Sequence, residues 1–566
     1  MRRMRMNRPG ASPVAVMIVA IGFVAARGGP FDPPAGYYDS ATGTGAALKS
    51  QLHDIIDDHT VFSYNDLRSI LQVTDADPDN PGHVLLIYDR VSLDVSVINP
   101  GGAIPGWDSG ISWNREHTWP ASRGLGSSGP DYTDLHHLRP ADPSVNSSRG
   151  NKNFGGAYGQ QAYGAVSDGG SFWYPGDADA GMVARHELYM ATRYDGVDSS
   201  TTDLELQVGD TAAENGLGNI DRLLEWHYQA VPGDFERGRN QIIYDNYQGN
   251  RNPYIDRPEF VWSVYVDQTN DSQLFVGSTP AADGSSTTSV DLGRVLTGAA
   301  LPAAQSVTLH RSGTDGTYYD VTASGDATSS ITGRYNAFPI NISGTDSTTL
   351  TVGLSASTAT AGSKTGSVLI DNLDVTTAGG PGLGGNDADD EITVSLAVLD
   401  HAIPSFAVDA TTTSLTLNFG TVTQGASPSL PFEIFNLAGS LGTSWTAGLD
   451  LDSILETDPA DVFTTSLTSF SDLDSGSSTS SSLSMRTDTT GSFSGSYLLG
   501  FSDEDLDGAT THSMTLSVSG TVVPVPEPAL LAAAGAAWIA GRWRLARRRR
   551  RGEAGGLGVA AAGPGR

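Results

Sequence analysis

The feature that most constrains the fold of this chain is a change in composition near residue 270. Before it, apolar residues recur at helical spacing in GAALKSQLHDII, NIDRLLEWH and FERGRNQIIYDNY, which predicts amphipathic helices. After Gln273 the chain is rich in Ser, Thr and Gly, and short apolar segments alternate with polar residues. That pattern is typical of antiparallel β-sandwiches. The 566 residues are therefore predicted to form several domains, with a mixed, mostly helical region first and all-β domains after it.

The all-β part contains an internal repeat. The segment TSVDLGRVLTG, which starts at Thr288, aligns after a short gap with TSLTLNFGTVTQG, which starts at Thr413. The spacing between equivalent glycines, about 127 residues, is too long for a solenoid repeat. It indicates that a whole domain has been duplicated. We predict two Ig-like sandwiches, over residues 277–400 and 401–523.

Composition excludes several classes of site. The chain has no cysteine, which rules out disulfides, thiolate metal sites and a cysteine nucleophile. Its formal net charge of −31 argues against a protein that coats nucleic acid through a broad basic face. Without the two terminal segments the charge would fall further, to about −42. Any chemistry on a polyanion must therefore be local.

Both ends of the chain have the pattern of export signals. Four arginines precede an apolar stretch that ends in small residues, which predicts a secretory signal peptide over residues 1–27. The other end, VPEPALLAAAGAAWIAGRWRLARRRRR, resembles the PEP-CTERM sorting tail of bacterial envelope proteins. The resemblance implies a tail at 524–551 that an exosortase-like enzyme cuts, followed by a disordered tail at 552–566. A plain membrane anchor is the alternative.

A short span within the first region concentrates residues that carry chemistry. WNREHTW, residues 113–119, is predicted to form a strand, and DLHHL, residues 134–138, a second one. Asp142 is a good helix N-cap, Pro143 a good first residue and Gly150 a good terminator, which predicts a two-turn helix containing Asn146. The unit is thus strand, loop, strand and short helix.

This set of side chains suits phosphodiester hydrolysis. A neutral imidazole can take a proton from water, and a hard divalent cation can stabilise the charge that develops on the phosphate. Glu116 and Asn146 offer the oxygen ligands that Mg²⁺ prefers. Arginine matches phosphate oxygens with its planar fork. Four arginines are therefore candidates for substrate binding: Arg115, Arg123, Arg139 and Arg149.

The segments NREHTWPASRG, DLHHLRP and VNSSRGNKNFG resemble the endonuclease I family, secreted or periplasmic nucleases with a ββα-metal (His-Me finger) site. Further segments between residues 36 and 265 resemble the family in the same order. The resemblance implies an α+β nuclease domain at 28–270, with His117 as general base and Glu116 and Asn146 as metal ligands. It implies Mg²⁺, with Mn²⁺ or Ca²⁺ as alternatives, and sequence-tolerant cleavage of DNA and RNA. Adjacent strand residues point to opposite faces, so Glu116 and His117 share one site only if the strand is twisted or bulged.

Some interpretations stay open. His136 and His137 either orient a ligand or contact phosphate, or they are packed, hydrogen-bonded residues. A zinc hydrolase using these two with His117 is one alternative function, and a catalytically silent scaffold that binds matrix is another. Asp503, Asp505 and Asp507 either hold Ca²⁺ or form a solvated acidic loop.

The signals at both ends predict an exported protein at the cell envelope, on the surface or outside the cell. The β repeats are predicted to govern attachment to the envelope or to extracellular matrix. We therefore expect residues 28–270 alone to cleave DNA about as well as the full chain.

Overall fold

The computed structural model describes residues 29–97, 105–109, 111–159, 162–376, 382–385, 387–458 and 460–525. The predicted signal peptide at 1–27, the disordered tail at 552–566 and all but the first two residues of the sorting tail lie outside these residues. Within them, no helix is both long and apolar enough to cross a membrane.

The N-terminal region combines helices with short strands. Its helices are α1 (Gly45–Ile56), α2 (Leu67–Thr74), α3 (Pro143–Arg149), α4 (Asp177–Arg193), α5 (Ile220–Gln229), α6 (Asp234–Asn246) and α7 (Pro253–Asp256). Its strands are β1 (His83–Leu85), β2 (Ser92–Asp94), β3 (Asn114–His117), β4 (Leu138–Ala141), β5 (Asn153–Phe154), β6 (Gly164–Ser167), β7 (Ser171–Tyr174), β8 (Glu205–Gln207) and β9 (Gly216–Gly218). The helices predicted from GAALKSQLHDII, NIDRLLEWH and FERGRNQIIYDNY are confirmed as α1, α5 and α6.

The centre of the N-terminal region is α4. Every residue of this helix from Asp179 to Arg193 is buried. Leu48 and Leu52 of α1 and Leu223 of α5 belong to the same apolar cluster as the α4 side chains. A helix that is covered on all sides can also bury polar side chains, and α4 does so in the middle of its length. The site described below lies beside this helix.

Two β regions follow. The first holds β10 (Gln273–Val276), β11 (Thr287–Leu296), β12 (Gln305–Ser312), β13 (Thr317–Gly325), β14 (Ala327–Ser329), β15 (Gly333–Phe338), β16 (Thr345–Leu354), β17 (Gly362–Asn372) and β18 (Asp390–Leu399). The second holds β19 (Pro404–Ser405), β20 (Ser414–Thr423), β21 (Ser429–Asn436), β22 (Leu449–Glu456), β23 (Phe463–Thr465), β24 (Phe470–Leu473), β25 (Ser478–Met485), β26 (Gly491–Asp503) and β27 (Thr511–Val523). The fold is thus an α+β region followed by two all-β regions.

The two β regions share one strand order. In the first, a four-stranded sheet runs β10-β12-β16-β14 and a five-stranded sheet runs β11-β18-β17-β13-β15. In the second, the corresponding orders are β19-β21-β25-β23 and β20-β27-β26-β22-β24. Strand for strand these orders are the same, as duplication of a whole domain would give. The first region begins with β10 at Gln273, because that strand pairs with β12, and so it starts before the predicted boundary at 277.

Contacts divide the chain into two compact units. The first combines the N-terminal region, through Val290, with Gln305–Val352 and Gly366–Thr393 of the first β region. Within this unit, Tyr228 and Trp262 of the N-terminal region join an apolar cluster with Tyr318 and Leu373 of the first β region. The second unit contains the other described segments, including the second β region.

Candidate active site

The predicted strand, loop, strand and helix unit is formed by β3, β4 and α3. The two strands are antiparallel, with Glu116 opposite Arg139 and His117 opposite Leu138, and their register is regular. The strand and the helix predicted over WNREHTW and PSVNSSR are confirmed as β3 and α3. The strand predicted over DLHHL is wrong: residues 135–137 form a turn, and β4 begins only at Leu138.

Helix α3 is fixed at both ends by its own sequence. The Asp142 carboxylate accepts hydrogen bonds from the backbone amides of Ser144 at 2.8 Å and Val145 at 3.1 Å, and Pro143 follows it as the first helical residue. At the other end, Gly150 has a φ of 60°, in the left-handed region that glycine adopts at least cost. These signals set the rotation and length of a short helix, and so they position its side chains.

One face of β3 is covered by α3. The Asn146 side-chain amide of α3 donates to the Asn114 side-chain oxygen at 2.8 Å. One turn further along the helix, Arg149 lies 3.1 Å from a Glu116 carboxylate oxygen, which also accepts from the Tyr88 hydroxyl at 2.8 Å. Burial is the main effect on the Glu116 pKa and raises it, whereas Arg149 opposes that shift. The two predicted metal ligands, Glu116 and Asn146, are therefore both directed to the α3 side of the strand.

His117 lies on the opposite face of β3, as strand alternation requires. Its Nε2 is 3.0 Å from the Tyr132 carbonyl oxygen, and its ring centroid lies 4.6 Å from that of Tyr132 and 5.4 Å from that of His137. No bulge turns the strand, because the β3–β4 register is regular. The structure thus retains the separation of Glu116 from His117 that the sequence implied.

The contact with Tyr132 decides which nitrogen of His117 carries the proton. A carbonyl oxygen can only accept, so Nε2 must donate and Nδ1 is left with its lone pair. Burial lowers the pKa of His117 to about 4, so the ring is neutral at neutral pH. The Tyr132 carbonyl is itself held in place, because the Asp131 carboxylate accepts from the Tyr132 amide at 2.9 Å and from the Gly126 amide at 2.8 Å.

The four candidate arginines fall into two pairs. Arg139 and Arg149 are fully buried. Arg139 is paired with Asp75, and Arg149 donates to the His117 and Thr118 carbonyls besides contacting Glu116. Their guanidinium groups are buried and bound to other groups of the protein, so we do not expect Arg139 and Arg149 to contact the substrate.

The other two arginines are only partly buried. Arg115 shares the His117 face of β3, where its guanidinium lies 3.5 Å from the centroid of the Tyr64 ring. Arg123 donates through Nε to the Asn151 carbonyl at 2.9 Å and through one terminal nitrogen to the Thr211 carbonyl at 2.9 Å. Arg115 also donates through one terminal nitrogen to the Tyr64 carbonyl, and Arg123 donates through the same terminal nitrogen to the Gly216 carbonyl at 3.0 Å, so the second terminal nitrogen of each takes no part in these hydrogen bonds.

His136 and His137 are both fully buried in the turn before β4. His136 Nε2 lies 3.3 Å from the Asn250 carbonyl, and its ring packs on Tyr189 at 4.6 Å between centroids. His137 Nε2 lies 3.1 Å from the Asp131 carbonyl. Burial lowers the pKa of His136 to about 4 and that of His137 to about 3. Both rings are thus neutral, and the buried His137 ring packs against that of His117.

Sequence reasoning did not assign a role to Glu187, in the middle of α4. Its side chain is completely buried, and neither carboxylate oxygen has a hydrogen-bond partner. Burial raises its pKa to about 8, Arg149 opposes the shift, and the nearby Glu116 adds to it. The Thr118 hydroxyl, which also influences this pKa, donates to the His137 carbonyl instead. A buried carboxyl next to Glu116 is therefore left without a compensating donor.

The donor set suits a hard cation in its chemistry. Glu116 and Asn146 supply oxygen atoms on one face of β3, and Glu187 adds an unpaired carboxyl nearby. Over the described residues, no group of three or more His, Cys, Asp or Glu side chains is arranged to hold a metal ion. The three histidines of the zinc alternative do not form such a group either, since His136 and His137 direct Nε2 to separate carbonyls.

Comparison with known proteins identifies the family that the N-terminal region matches. A family model described as Endonuclease I matches residues 44–259. An extracellular ribonuclease of Bacillus subtilis (strain 168) is 44% identical over 248 residues, which cover 43% of this chain and 82% of that protein. An extracellular ribonuclease of Bacillus amyloliquefaciens is 44% identical over 235 residues, covering 40% and 78%. The solved structure of PapD-like domain 7 of human CEP192 aligns with this chain at 15% identity, over 19% of this chain and 82% of the CEP192 chain. Its TM-score of 0.17 is too low to establish a shared fold. The family match spans β3, β4 and α3, and the Bacillus subtilis relative is 44% identical over 82% of its own length, so the chain belongs to the endonuclease I family.

Proposed function

We propose that this protein is an exported, metal-dependent endonuclease that hydrolyses phosphodiester bonds of DNA and RNA with little regard to sequence. The observation that carries the proposal is the state of His117: its Nε2 donates to the Tyr132 carbonyl, so Nδ1 is a free proton acceptor. This histidine lies within residues 44–259, the part of the chain that the Endonuclease I family model matches. The two Bacillus relatives are named as extracellular ribonucleases, which supports nucleic acid as the substrate and export as the destination.

His117 acts in this proposal as the general base. Nδ1 takes a proton from the attacking water while Nε2–H remains anchored on Tyr132, so the ring stays in one orientation as it becomes charged. The neighbouring aromatic rings of Tyr132 and Tyr64 limit ring rotation and exclude bulk water from one side. The imidazole is thus already oriented to accept a proton before the substrate binds.

Glu116 and Asn146 would hold the metal ion, with Mg²⁺ as the expected ion and Mn²⁺ or Ca²⁺ as alternatives. When bound, such an ion stabilises the charge that develops on the phosphate and on the leaving oxygen. Arg149 holds Glu116 on the α3 side, and Asn114 holds the Asn146 amide. Glu187 lies close enough to Glu116 for their charges to interact, and with its pKa raised to about 8 it is largely protonated at neutral pH, so a bound cation would favour its ionised form.

Arg115 and Arg123 would contact the phosphates. Guanidinium forks bind phosphate oxygens and carry no information about the base, which accounts for tolerance of sequence. Arg115 is the better placed of the two, because it lies on the same face of β3 as His117.

The central test is cleavage by the purified full chain. Supercoiled plasmid and a structureless RNA would each be incubated with Mg²⁺, Mn²⁺ or Ca²⁺, or with a chelator. We expect cleavage of both polymers with metal and none with chelator. Intact polymers with all three metals would overturn the proposal, and cleavage that persists in chelator would remove its metal dependence.

Replacing Asn146 with alanine should raise the metal concentration needed for half-maximal cleavage by at least about 10- to 100-fold, the range found when groups that only support a metal ligand are removed. The reason is the loss of one oxygen ligand, while the base on the other face stays in place. Metal binding measured by calorimetry should weaken in parallel. Asn151→Ala, an exposed amide just beyond α3, is the matched control and should leave the metal requirement unchanged. An unchanged requirement in Asn146→Ala would remove this residue from the metal site.

The cellular location that we propose for this protein rests on the sequences of its two ends. We assign residues 1–27 to a signal peptide and 524–551 to a PEP-CTERM-like tail that an exosortase-like enzyme processes, which leaves the β regions to attach the enzyme to the envelope or matrix. Truncation before Val525 should therefore shift the protein from the cell fraction to the medium. If the truncated protein stays equally cell-associated, the tail is not the sorting signal.

A further inference from the structure

Two buried aspartates lie at the start of β18 in the first β region: Asp387 in the loop just before the strand and Asp390 as its first residue. Asp387 is 2% exposed and Asp390 1% exposed. The loop is tied down by backbone hydrogen bonds, from the Ala388 amide to the Gly284 carbonyl at 3.2 Å and from the Glu391 amide to the Ser286 carbonyl at 2.9 Å. Both carboxyl groups are therefore held in a fixed part of the protein and shielded from bulk solvent.

Each aspartate has one oxygen that is satisfied and one that is not. Asp387 Oδ2 accepts from the Leu274 amide at 3.0 Å and from the Asn372 side-chain amide at 2.6 Å, whereas its Oδ1 has no partner. Asp390 Oδ1 accepts from the Ser286 amide at 2.8 Å and from the Ser286 hydroxyl at 2.5 Å, whereas its Oδ2 has none. The satisfied oxygens fix the two carboxyl groups, and the free oxygens are both buried.

Burying two carboxyl groups with unpaired oxygens costs free energy unless a third group binds those oxygens. Leaving a buried acceptor unpaired carries the full cost of removing it from water. The two groups also act on each other, because the charge of Asp390 helps to raise the pKa of Asp387. Burial is the main cause of a pKa near 7 for each of them. Among the ion pairs of the described residues, none joins a Lys, Arg or His to Asp387 or Asp390.

A buried aspartate does not always have an unpaired oxygen, as Asp503 of the second β region shows. Asp503 is also buried, but both of its oxygens are satisfied. Oδ2 accepts from the Thr510 amide at 2.8 Å and lies 2.8 Å from His401 Nδ1, and Oδ1 lies 3.1 Å from His512 Nε2. The calcium site considered at Asp503, Asp505 and Asp507 therefore has, at its first position, a carboxylate whose two oxygens already have partners, which disfavours a cation.

We propose that Asp387 Oδ1 and Asp390 Oδ2 bind a calcium ion that fastens this loop to the start of the first β region. Ca²⁺ takes six to eight oxygen ligands in flexible geometry, so two carboxylate oxygens would be completed by backbone carbonyls and water. Mg²⁺ demands near-ideal octahedral geometry and gives up water reluctantly, which suits a site with few fixed ligands less well. This site is separate from the one proposed for catalysis and would serve stability.

The test uses the full chain at about pH 8, where both carboxyl groups are largely ionised. Thermal unfolding is followed with and without about 10 mM Ca²⁺ at matched ionic strength, and calcium binding is measured by calorimetry. Sites of this class in extracellular modules have Kd values of about 10⁻⁴ to 10⁻³ M. Saturation should then raise Tm by roughly 3 to 10 °C. Mg²⁺ at the same concentration should raise it less.

The chain offers a matched control between the two ligands. Asp389 is exposed, so Asp389→Asn removes the same charge from the same loop without touching the buried pair. Calcium should stabilise Asp389→Asn as it does the natural chain, and it should no longer stabilise Asp387→Asn or Asp390→Asn. The calcium shift measured in one of these two variants is sufficient, so the test remains valid if the other variant does not fold.

Three results would overturn the proposal. The natural chain could show no calcium shift, the Asp387→Asn and Asp390→Asn variants could retain the shift in full, or Mg²⁺ could stabilise as strongly as Ca²⁺. A natural chain that ignores calcium but becomes more stable on acidification through pH 7 would show that protons satisfy the pair instead. Cleavage of nucleic acid does not enter this readout, so the result is independent of the proposed function.

Discussion

His117→Ala is expected to slow cleavage of nucleic acid by roughly 10² to 10⁴, the range that one positioned general base supplies. The substitution removes the imidazole whose Nδ1 is left free to accept the proton of water by the Nε2 contact with Tyr132. Glu116 and Asn146 lie on the other face and should bind metal as before. The expected signature is therefore a low kcat at an unchanged metal requirement.

The measurement needs a control for folding, because the His117 ring packs against Tyr132 and His137. Tm of the variant should be determined with the rate, and His310→Ala provides a matched half-buried histidine on β12. His310 stacks on Phe275 at 5.0 Å between centroids, so its removal also deletes an aromatic contact. Cleavage by His117→Ala at the natural rate would rule out this residue as the base.

Local signals made part of the site predictable. Asp142, Pro143 and Gly150 specify α3 through interactions within a few residues, so the helix and the position of Asn146 on it could be predicted from the sequence. The alternation in WNREHTW likewise placed Glu116 and His117 on opposite faces of a strand. The structure keeps that separation, since nothing in the regular β3–β4 register turns the strand.

The turn before β4 could not be predicted in this way. The alternation in DLHHL indicated a strand, but Asp134 accepts a hydrogen bond from the backbone amide of His136 at 2.9 Å. The same carboxylate accepts from the hydroxyls of Tyr189 at 2.8 Å and Tyr194 at 2.9 Å. These tyrosines lie on α4 and at its end, more than fifty residues away, and they draw the chain into a turn that local pattern does not specify.

The roles of buried charges also depended on distant partners. Arg139 and Arg149 were candidates for phosphate because arginine is the usual phosphate ligand, yet Asp75 and Glu116 pair with them inside the protein. Glu187 gave no signal either, since it occupies an ordinary position in a helix. Its importance arises only because α4 is covered on all sides and places it beside Glu116 and Arg149.

The N-terminal region is expected to keep its activity but lose stability when the chain is cut after residue 270. The recorded contacts of His117, Glu116 and Asn146 lie within the N-terminal region, so the rate per folded molecule should match that of the full chain. The cut, however, removes the partners of Tyr228 and Trp262 in the first β region. The sequence predicts an independent N-terminal domain, whereas this interface indicates that the first β region adds to the stability of that domain.

The size of the loss follows from what becomes exposed. Tyr228 is 1% exposed and Trp262 5% exposed in the whole chain. Exposing two large apolar side chains costs about 3 to 6 kcal/mol, which for a domain of this size lowers Tm by on the order of 10 °C. Polar contacts are lost as well, including the hydrogen bond from the Tyr318 hydroxyl to the His227 carbonyl at 2.6 Å and the ion pair of Arg334 with Glu259 at 2.8 Å.

A point variant tests the same interface in the intact chain. Gly316 lies so close to the Tyr228 ring that an added Cβ would come within 2.5 Å of it, whereas a Cβ on Gly385 would meet nothing within 4 Å. Gly316→Ala should therefore lower Tm in the direction of the truncated chain, and Gly385→Ala should not. Both variants should cleave normally at temperatures below their transitions, because an added Cβ at either glycine would meet no atom of β3 or α3 among its nearest neighbours. If the truncated chain unfolds at the same temperature as the full chain, or Gly316→Ala is as stable as Gly385→Ala, then the first β region is a passive attachment and the two regions fold independently.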